Sequence, residues 1–134
     1  MDAKVETTWR AAVAVREHAH APYSGYRVGA ALAVTGQESP VAGCNVENAS
    51  YGATLCAERV AVTRAVAVHG PHLQFEHLVL VTESPAPPCG LCLQVLSEFV
   101  SGDFPIFTAT PAGVQSSYTL NELLPVRFQP ENLK

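Results

Sequence analysis

Three cysteines and one glutamate give the first chemical signal in this chain. Cys56-Ala57-Glu58 is followed downstream by Pro88-Cys89-Gly90-Leu91-Cys92. A catalytic zinc takes three protein ligands and leaves its fourth position to water, and Cys56, Cys89 and Cys92 supply such a set. Glu58 lies two residues after the first thiol, close enough to reach that water without binding the metal. Bound zinc lowers the pKa of water to roughly 7, so the pattern suits hydrolysis at neutral pH with Glu58 as the proton shuttle. A bare C-x-x-C is a weak signal. C-x-E followed by P-C-x-x-C is a much stronger one.

The elements around these residues must bring them together. Ala57 to Val68 contains no Gly or Pro and is rich in alanine and valine, so Cys56 opens a helix that runs to His69 and stops at Gly70-Pro71. Pro88 suits the first turn of a second helix, Cys89 to Val100, where Cys89 and Cys92 share one face. Two helix N-termini then point at one metal, and their partial positive charge favours thiolate over thiol. Val5 to Ala19 reads as an amphipathic helix with Val5, Trp9, Ala12, Val13 and Arg16 on its face. Strands are expected over Tyr26–Val34, Val41–Asn45, Phe75–Thr82, Pro105–Ala109 and Gln115–Thr119, with a helical turn over Leu120–Leu124 before an irregular tail. Crossover helices between strands imply an α/β fold, a mixed sheet with helices on its faces. Ligands bind at the carboxyl ends of strands in such sheets, and both thiol motifs follow strand ends.

Composition narrows the function classes. A chain of 134 residues is expected to form one domain, residues 1–134, and to bury roughly two-thirds of its unfolded surface without disulfide staples. The formal net charge is −4, and the eight Lys and Arg are scattered. That argues against nucleic acid as a partner, since phosphate-backbone binding needs clustered positive charge. No run approaches the ~20 apolar residues of a membrane helix, and Met1 to Arg10 is polar. A cytoplasmic location is expected, where thiols stay reduced and clustered cysteines serve metals or catalysis. Charged residues are only 15% of the chain, against roughly 25% in ordinary soluble domains, which points to surface buried between subunits.

Neighbouring residues have plain readings beside functional ones. Three thiolates on Zn²⁺ leave a net negative site, which makes bound water less acidic. Arg59, otherwise a surface cation, can donate hydrogen bonds to sulfur and offset that charge. Cys44 could complete a closed, purely structural four-cysteine site, but that arrangement leaves Glu58 without a role. The run Asn45-Val46-Glu47-Asn48-Ala49-Ser50 is either an asparagine-rich turn or a loop that reads substrate hydroxyls beside the metal. The five histidines show no ligand spacing.

The residues also carry a family resemblance. Zinc deaminases of nucleobases use H-x-E followed by P-C-x-x-C, with cysteine allowed for the histidine. Pro22-Tyr23-Ser24, Val28-Gly29-Ala30-Ala31-Leu32, Gly43-Cys44-Asn45-Val46-Glu47-Asn48-Ala49, Cys56-Ala57-Glu58-Arg59 and Pro88-Cys89-Gly90-Leu91-Cys92 closely resemble the small, zinc-dependent cytidine deaminases. The likeness runs over about residues 8 to 131, and Asn-x-Glu-Asn before C-A-E-R is similar to the free-nucleoside enzymes. The resemblance implies a three-layer α/β/α sandwich around a five-stranded mixed sheet, and a homotetramer. It implies zinc on Cys56, Cys89 and Cys92, proton transfer by Glu58, and ribose hydrogen bonds from Asn45 and Glu47. Tyr26 takes the place of an aromatic that stacks on the base, and Ala57 lies at the substrate. Ala49, Tyr51 and Phe128 would be lent to pockets of neighbouring subunits. One departure stands out: the family's usual Arg after the last zinc cysteine is Leu93 here, which leaves more of the charge compensation to Arg59.

The function so implied is hydrolytic deamination of cytidine and deoxycytidine to uridine and deoxyuridine in pyrimidine salvage. Rival readings are a deaminase of another aminopyrimidine nucleoside, such as blasticidin S, and a non-catalytic zinc interaction module. Glu47 argues against the first, because a ribose ligand would have no purpose there.

Overall fold

Five strands form one mixed sheet in the computed structural model, which describes residues 2–133. The helix α1 (Ala3–Arg16) leads into β1 (Gly29–Val34) and β2 (Val41–Cys44), an antiparallel pair. Then come α2 (Ala57–His69), β3 (Phe75–Val81), α3 (Gly90–Ser97), β4 (Pro105–Thr110), β5 (Gly113–Thr119) and the short α4 (Leu120–Leu123). The strand order is β2-β1-β3-β4-β5, with β3 and β4 parallel and the other neighbours antiparallel.

Side-chain alternation along the strands divides the core into two layers. Ala30, Leu32, Leu78, Leu80 and Ile106 face α2 and α3, while Ala31, Val79, Val81 and Ala109 face α1. Strands buried on both faces read as continuous apolar runs, and Leu78 to Val81 is such a run. Each fully buried leucine or isoleucine contributes about 1.5–3 kcal/mol. Both faces are covered, so the expected α/β/α sandwich on five strands is the observed architecture.

Small residues set how closely α2 approaches the sheet. Ala57, Ala61 and Ala65, one helical turn apart, are fully buried. Opposite them lies Gly43, where a Cβ would come 2.5 Å from the Ala61 nitrogen. Gly29 allows the same close approach of α1 on the other face, with the Ala12 carbonyl oxygen 2.0 Å from its missing Cβ. The N-terminus of α2, with Cys56 and Glu58, is therefore held near the end of β2.

Several boundaries differ from the sequence expectations. β1 begins at Gly29 rather than Tyr26, because the Asn45 side chain takes the backbone groups that would enter the ladder. Its Oδ1 accepts from Val28 N–H at 2.9 Å and its Nδ2 donates to the Tyr26 carbonyl at 2.7 Å. α1 ends at Arg16, and its buried stripe is Val5, Thr8 and Ala12, with Trp9 and Val13 only half-buried. α3 starts at Gly90 with Cys89 as its N-cap, so Pro88 lies just outside the helix rather than in its first turn. The helix also stops at Ser97, and Phe99 N–H turns back to the Leu96 carbonyl. Among the described residues no helix is long and apolar enough to cross a membrane.

Thr8 is buried because it pairs with His77 of β3, Oγ1 to Nε2 at 2.8 Å. The threonine hydroxyl also donates to the Lys4 carbonyl, which leaves its oxygen to accept from the imidazole. Burial lowers the pKa of His77, with Glu76 and Asp2 opposing. The folded state then takes up its proton at lower pH than the unfolded chain, whose histidines titrate near ~6.5. This contribution to stability is intact above that value and is lost as pH falls below it. Urea midpoints measured between neutral and mildly acidic pH are expected to fall less steeply for His77→Gln than for the parent. Parallel pH profiles would show that His77 is not the group responsible.

Candidate active site

The three thiols converge through helix starts. Cys56 is the N-cap of α2 and Cys89 the N-cap of α3, both in extended backbone conformation. Cys92 lies in the first turn of α3 and is 2% exposed. The sulfurs of Cys56, Cys89 and Cys92 all lie within 4.8 Å of one another, with the Cys89 and Cys92 sulfurs 3.3 Å apart. Zn–S bonds of ~2.3 Å in a tetrahedron put sulfurs ~3.8 Å apart, so these thiols fit zinc. Cys44 is no member of this group, so the closed four-cysteine arrangement does not form.

Helix dipoles and unpaired N–H groups at both N-termini favour negative charge at this point. Cys89 shows the balance: burial pushes its thiol up, but hydrogen bonds from the Cys92 N–H and to the Cys92 and Cys56 sulfurs outweigh it and bring the pKa down. The deeper Cys92 thiol is pushed far up, first by burial and then by the Glu58 charge. A bound cation reverses that second trend, since coordination deprotonates a thiol outright.

Glu58 is in the first turn of α2 and only 7% exposed. Burial raises its pKa, against its own backbone N–H, the Cys92 thiol and the Arg59 charge. Arg59 follows it and turns toward the sulfurs. Its Nη2 lies 3.6 Å from Cys56 Sγ and 3.2 Å from the Thr54 carbonyl oxygen. Leu93 is buried in the apolar layer under α3, so no second cation takes the position after Cys92.

A cleft of about 250 Å³ opens over these groups. It lies where β2 and β3 end and β1 begins, since Gly29 pairs with both Cys44 and Val81. Cys56, Ala57, Glu58 and Cys89 line it from the thiol cluster, and Tyr26, Asn45 and Glu47 line it from the segments around β1 and β2. Expected residues from four separate chain segments are thus brought together. Val28, Thr54, Leu80, Thr82 and Pro87 also line the cleft and were not expected. They are ordinary residues whose place follows from strand ends, and only the Glu83–Pro88 proline-rich loop gave a local sign. Ala49, Tyr51 and Phe128 do not line this cleft. All three are exposed, Tyr51 to 76% and Phe128 to 56%.

Glu47 accepts from the backbone N–H groups of Tyr23 at 3.0 Å and Ser24 at 3.1 Å, and from the Ser24 hydroxyl. The Ser24 hydroxyl is the largest cause of its lowered pKa. Asn45 is already committed to Tyr26 and Val28, which leaves one amide N–H and one oxygen lone pair for a ligand.

Comparison with known proteins agrees with this geometry. A sequence model of the cytidine and deoxycytidylate deaminase zinc-binding region matches residues 2–108. A cytidine deaminase from Halalkalibacterium halodurans is 39% identical over 122 residues, covering 91% of this chain and 92% of that protein. One from Sporosarcina psychrophila is 40% identical over 118 residues, covering 88% and 86%. The crystal structure of cytidine deaminase from Burkholderia pseudomallei superposes with a TM-score of 0.84 at 37% identity, over 96% of this chain and all of that one. The match to that zinc-binding region spans most of the chain, whose three thiols converge, and the chain belongs to the cytidine and deoxycytidylate deaminase family.

Proposed function

We propose that this chain hydrolyses cytidine and deoxycytidine to uridine and deoxyuridine with release of ammonia, in pyrimidine salvage in the cytoplasm. The observation that carries this reading is a buried carboxylate, Glu58, beside three convergent thiols in a cleft that Tyr26 and Glu47 also line. Zinc held by Cys56, Cys89 and Cys92 would supply an acidified water as nucleophile. Glu58 takes a proton from the attacking water and delivers it to N3 of the cytosine ring. The water oxygen bonds to C4, and Glu58 then carries the remaining proton of that new hydroxyl to the amino group, so that C4=O forms as the C–N bond breaks and ammonia leaves. Tyr26 forms an aromatic wall for the base, and Ala57 offers a backbone N–H from the unpaired first turn of α2. Asn45 and Glu47 bind the sugar hydroxyls. Arg59 hydrogen-bonds the Cys56 sulfur and offsets the negative site.

The purified protein is expected to hold about one zinc per chain. X-ray absorption should show three sulfurs and one lighter atom, the pattern of an open catalytic site. Ultraviolet absorbance should report conversion of cytidine. Four sulfur ligands, or no ammonia from either cytosine nucleoside, would overturn the reading.

The assembly in this proposal is a homotetramer of single-domain chains with pockets completed across interfaces. Low charge content supports it, and so does the position of two aromatics outside their own cleft. Tyr51 follows the Asn48–Ser50 turn, closed by Ser50 N–H to Asn48 Oδ1, and touches Tyr23 edge-on with centroids 6.0 Å apart. The Gln94 side chain of α3 donates to the Phe128 carbonyl at 2.9 Å, which holds the tail beside the metal helix. Phe128→Ala is expected to raise KM for cytidine about tenfold and to leave zinc content unchanged. A fully active monomer in sedimentation, or a variant with the parent KM, would refute the shared pocket.

A further inference from the structure

Behind Tyr26 and Glu47, which line the cleft, a hydrogen-bond relay passes through one hydroxyl. Ser24 Oγ accepts from the Tyr26 N–H at 3.0 Å and donates to Glu47 Oε2. The other carboxylate oxygen, Oε1, accepts from two backbone groups, Tyr23 N–H and Ser24 N–H. An ionised carboxylate has about four acceptor positions. Both on Oε1 are filled, and Ser24 fills one on Oε2. A single acceptor position on Oε2 remains for a ligand, and its direction is set by the other three bonds.

The same hydroxyl also holds the base-facing side of the cleft. Tyr26 is fixed on one side by Ser24 Oγ at its N–H and on the other by Asn45 Nδ2 at its carbonyl. Gly25, with φ of 69°, makes the turn that allows Ser24 and Tyr26 to meet in this way, and its N–H closes onto the Ala21 carbonyl at 2.9 Å. A side chain at that φ would be strained. The segment Ala21–Tyr26 is thus shaped around the Glu47 carboxylate.

We propose that Ser24 is a positioning residue for sugar recognition: its hydroxyl aims the one free acceptor of Glu47 at a ligand hydroxyl and ties it to the backbone of Tyr26. This rests on the reading of Glu47 as a sugar ligand. Ser24 makes no contribution to the chemistry at C4, because it does not line the cleft that holds Glu58 and the thiols.

The test measures kcat and KM for cytidine and for 2′,3′-dideoxycytidine, which lacks the 2′- and 3′-hydroxyls. Zinc content is measured on the same samples of the parent, Ser24→Ala and Ser24→Thr. Ser24→Ala is expected to raise KM for cytidine about tenfold, the effect of one misaligned hydrogen bond to a charged group. Its kcat and zinc content should stay near the parent's, and KM for the dideoxy substrate should change less than twofold. Ser24→Thr keeps the hydroxyl and should restore most of the affinity for cytidine. An unchanged KM for cytidine in Ser24→Ala would overturn the proposal, as would an equal rise for both substrates, which would mean that Ser24 only shapes the Tyr26 wall. A parent enzyme that turns over both substrates with the same KM would overturn the sugar role of Glu47 itself. A zinc-loaded parent inactive on cytidine would overturn the deaminase reading.

Discussion

Glu58→Gln is expected to keep the fold and the zinc and to lose nearly all turnover. The substitution preserves volume at a position 7% exposed, so it opens no cavity. It also leaves the three thiols untouched, and the amide can still meet the N–H groups at the start of α2. Only the ability to take up and return a proton is lost. General acid–base groups contribute typically ~10²–10⁴-fold, and Glu58 serves more than one transfer, so the loss should reach the upper end of that range. Turnover is read from the absorbance change of cytidine, and zinc by atomic absorption on the same protein. A variant retaining a tenth of parental turnover would remove Glu58 from the proton path. A variant that had lost its zinc would make it a structural support of the metal site instead.

How far the sequence alone carries depends on which interactions are local. Cys56, Glu58 and Arg59 fall within one helix start, and Cys89 and Cys92 within another. Helical geometry links the members of each group, so their spacing was informative before any fold was known. Residues placed by topology left no such trace. Val28 and Thr82 line the cleft because β1 begins and β3 ends at the same end of the sheet, and nothing in either residue type indicates it. Element boundaries shift where a distant group intervenes or the apolar pattern runs on. β1 lost its first residues to a side chain seventeen positions away in sequence, Asn45 bonding Val28. α3 is shorter than its apolar pattern because Phe99 and Val100 pack against the core without being helical. The burial of Thr8 on α1 has no local sign, because the partner that satisfies its hydroxyl, His77, lies 69 positions on.

Arg59→Ala is expected to weaken zinc binding and lower activity together, by about 10–100-fold, the usual cost of losing a group that orients metal ligands. A cation in the first turn of a helix opposes the dipole, so its place there needs a compensating interaction. The structure supplies one. The guanidinium donates to the Cys56 sulfur and to the Thr54 carbonyl, and its Nε is buried with no hydrogen-bond partner among the described residues. Three thiolates and one Zn²⁺ carry a net negative charge, which a nearby guanidinium offsets and which would otherwise make the bound water less acidic. Leu93 is packed in the apolar layer, so this chain has no arginine after Cys92 to share the task. Arg59→Gln keeps a hydrogen-bond donor without the charge and should fall between the parent and Arg59→Ala. Zinc transfer to a chromogenic chelator gives the metal readout independently of turnover, and thermal unfolding of the metal-free proteins separates lost packing from lost charge. Unchanged zinc transfer and unchanged rate in Arg59→Ala would reduce Arg59 to a surface cation. Faster zinc loss with a normal rate in the loaded enzyme would limit it to holding Cys56, with no influence on the acidity of the water.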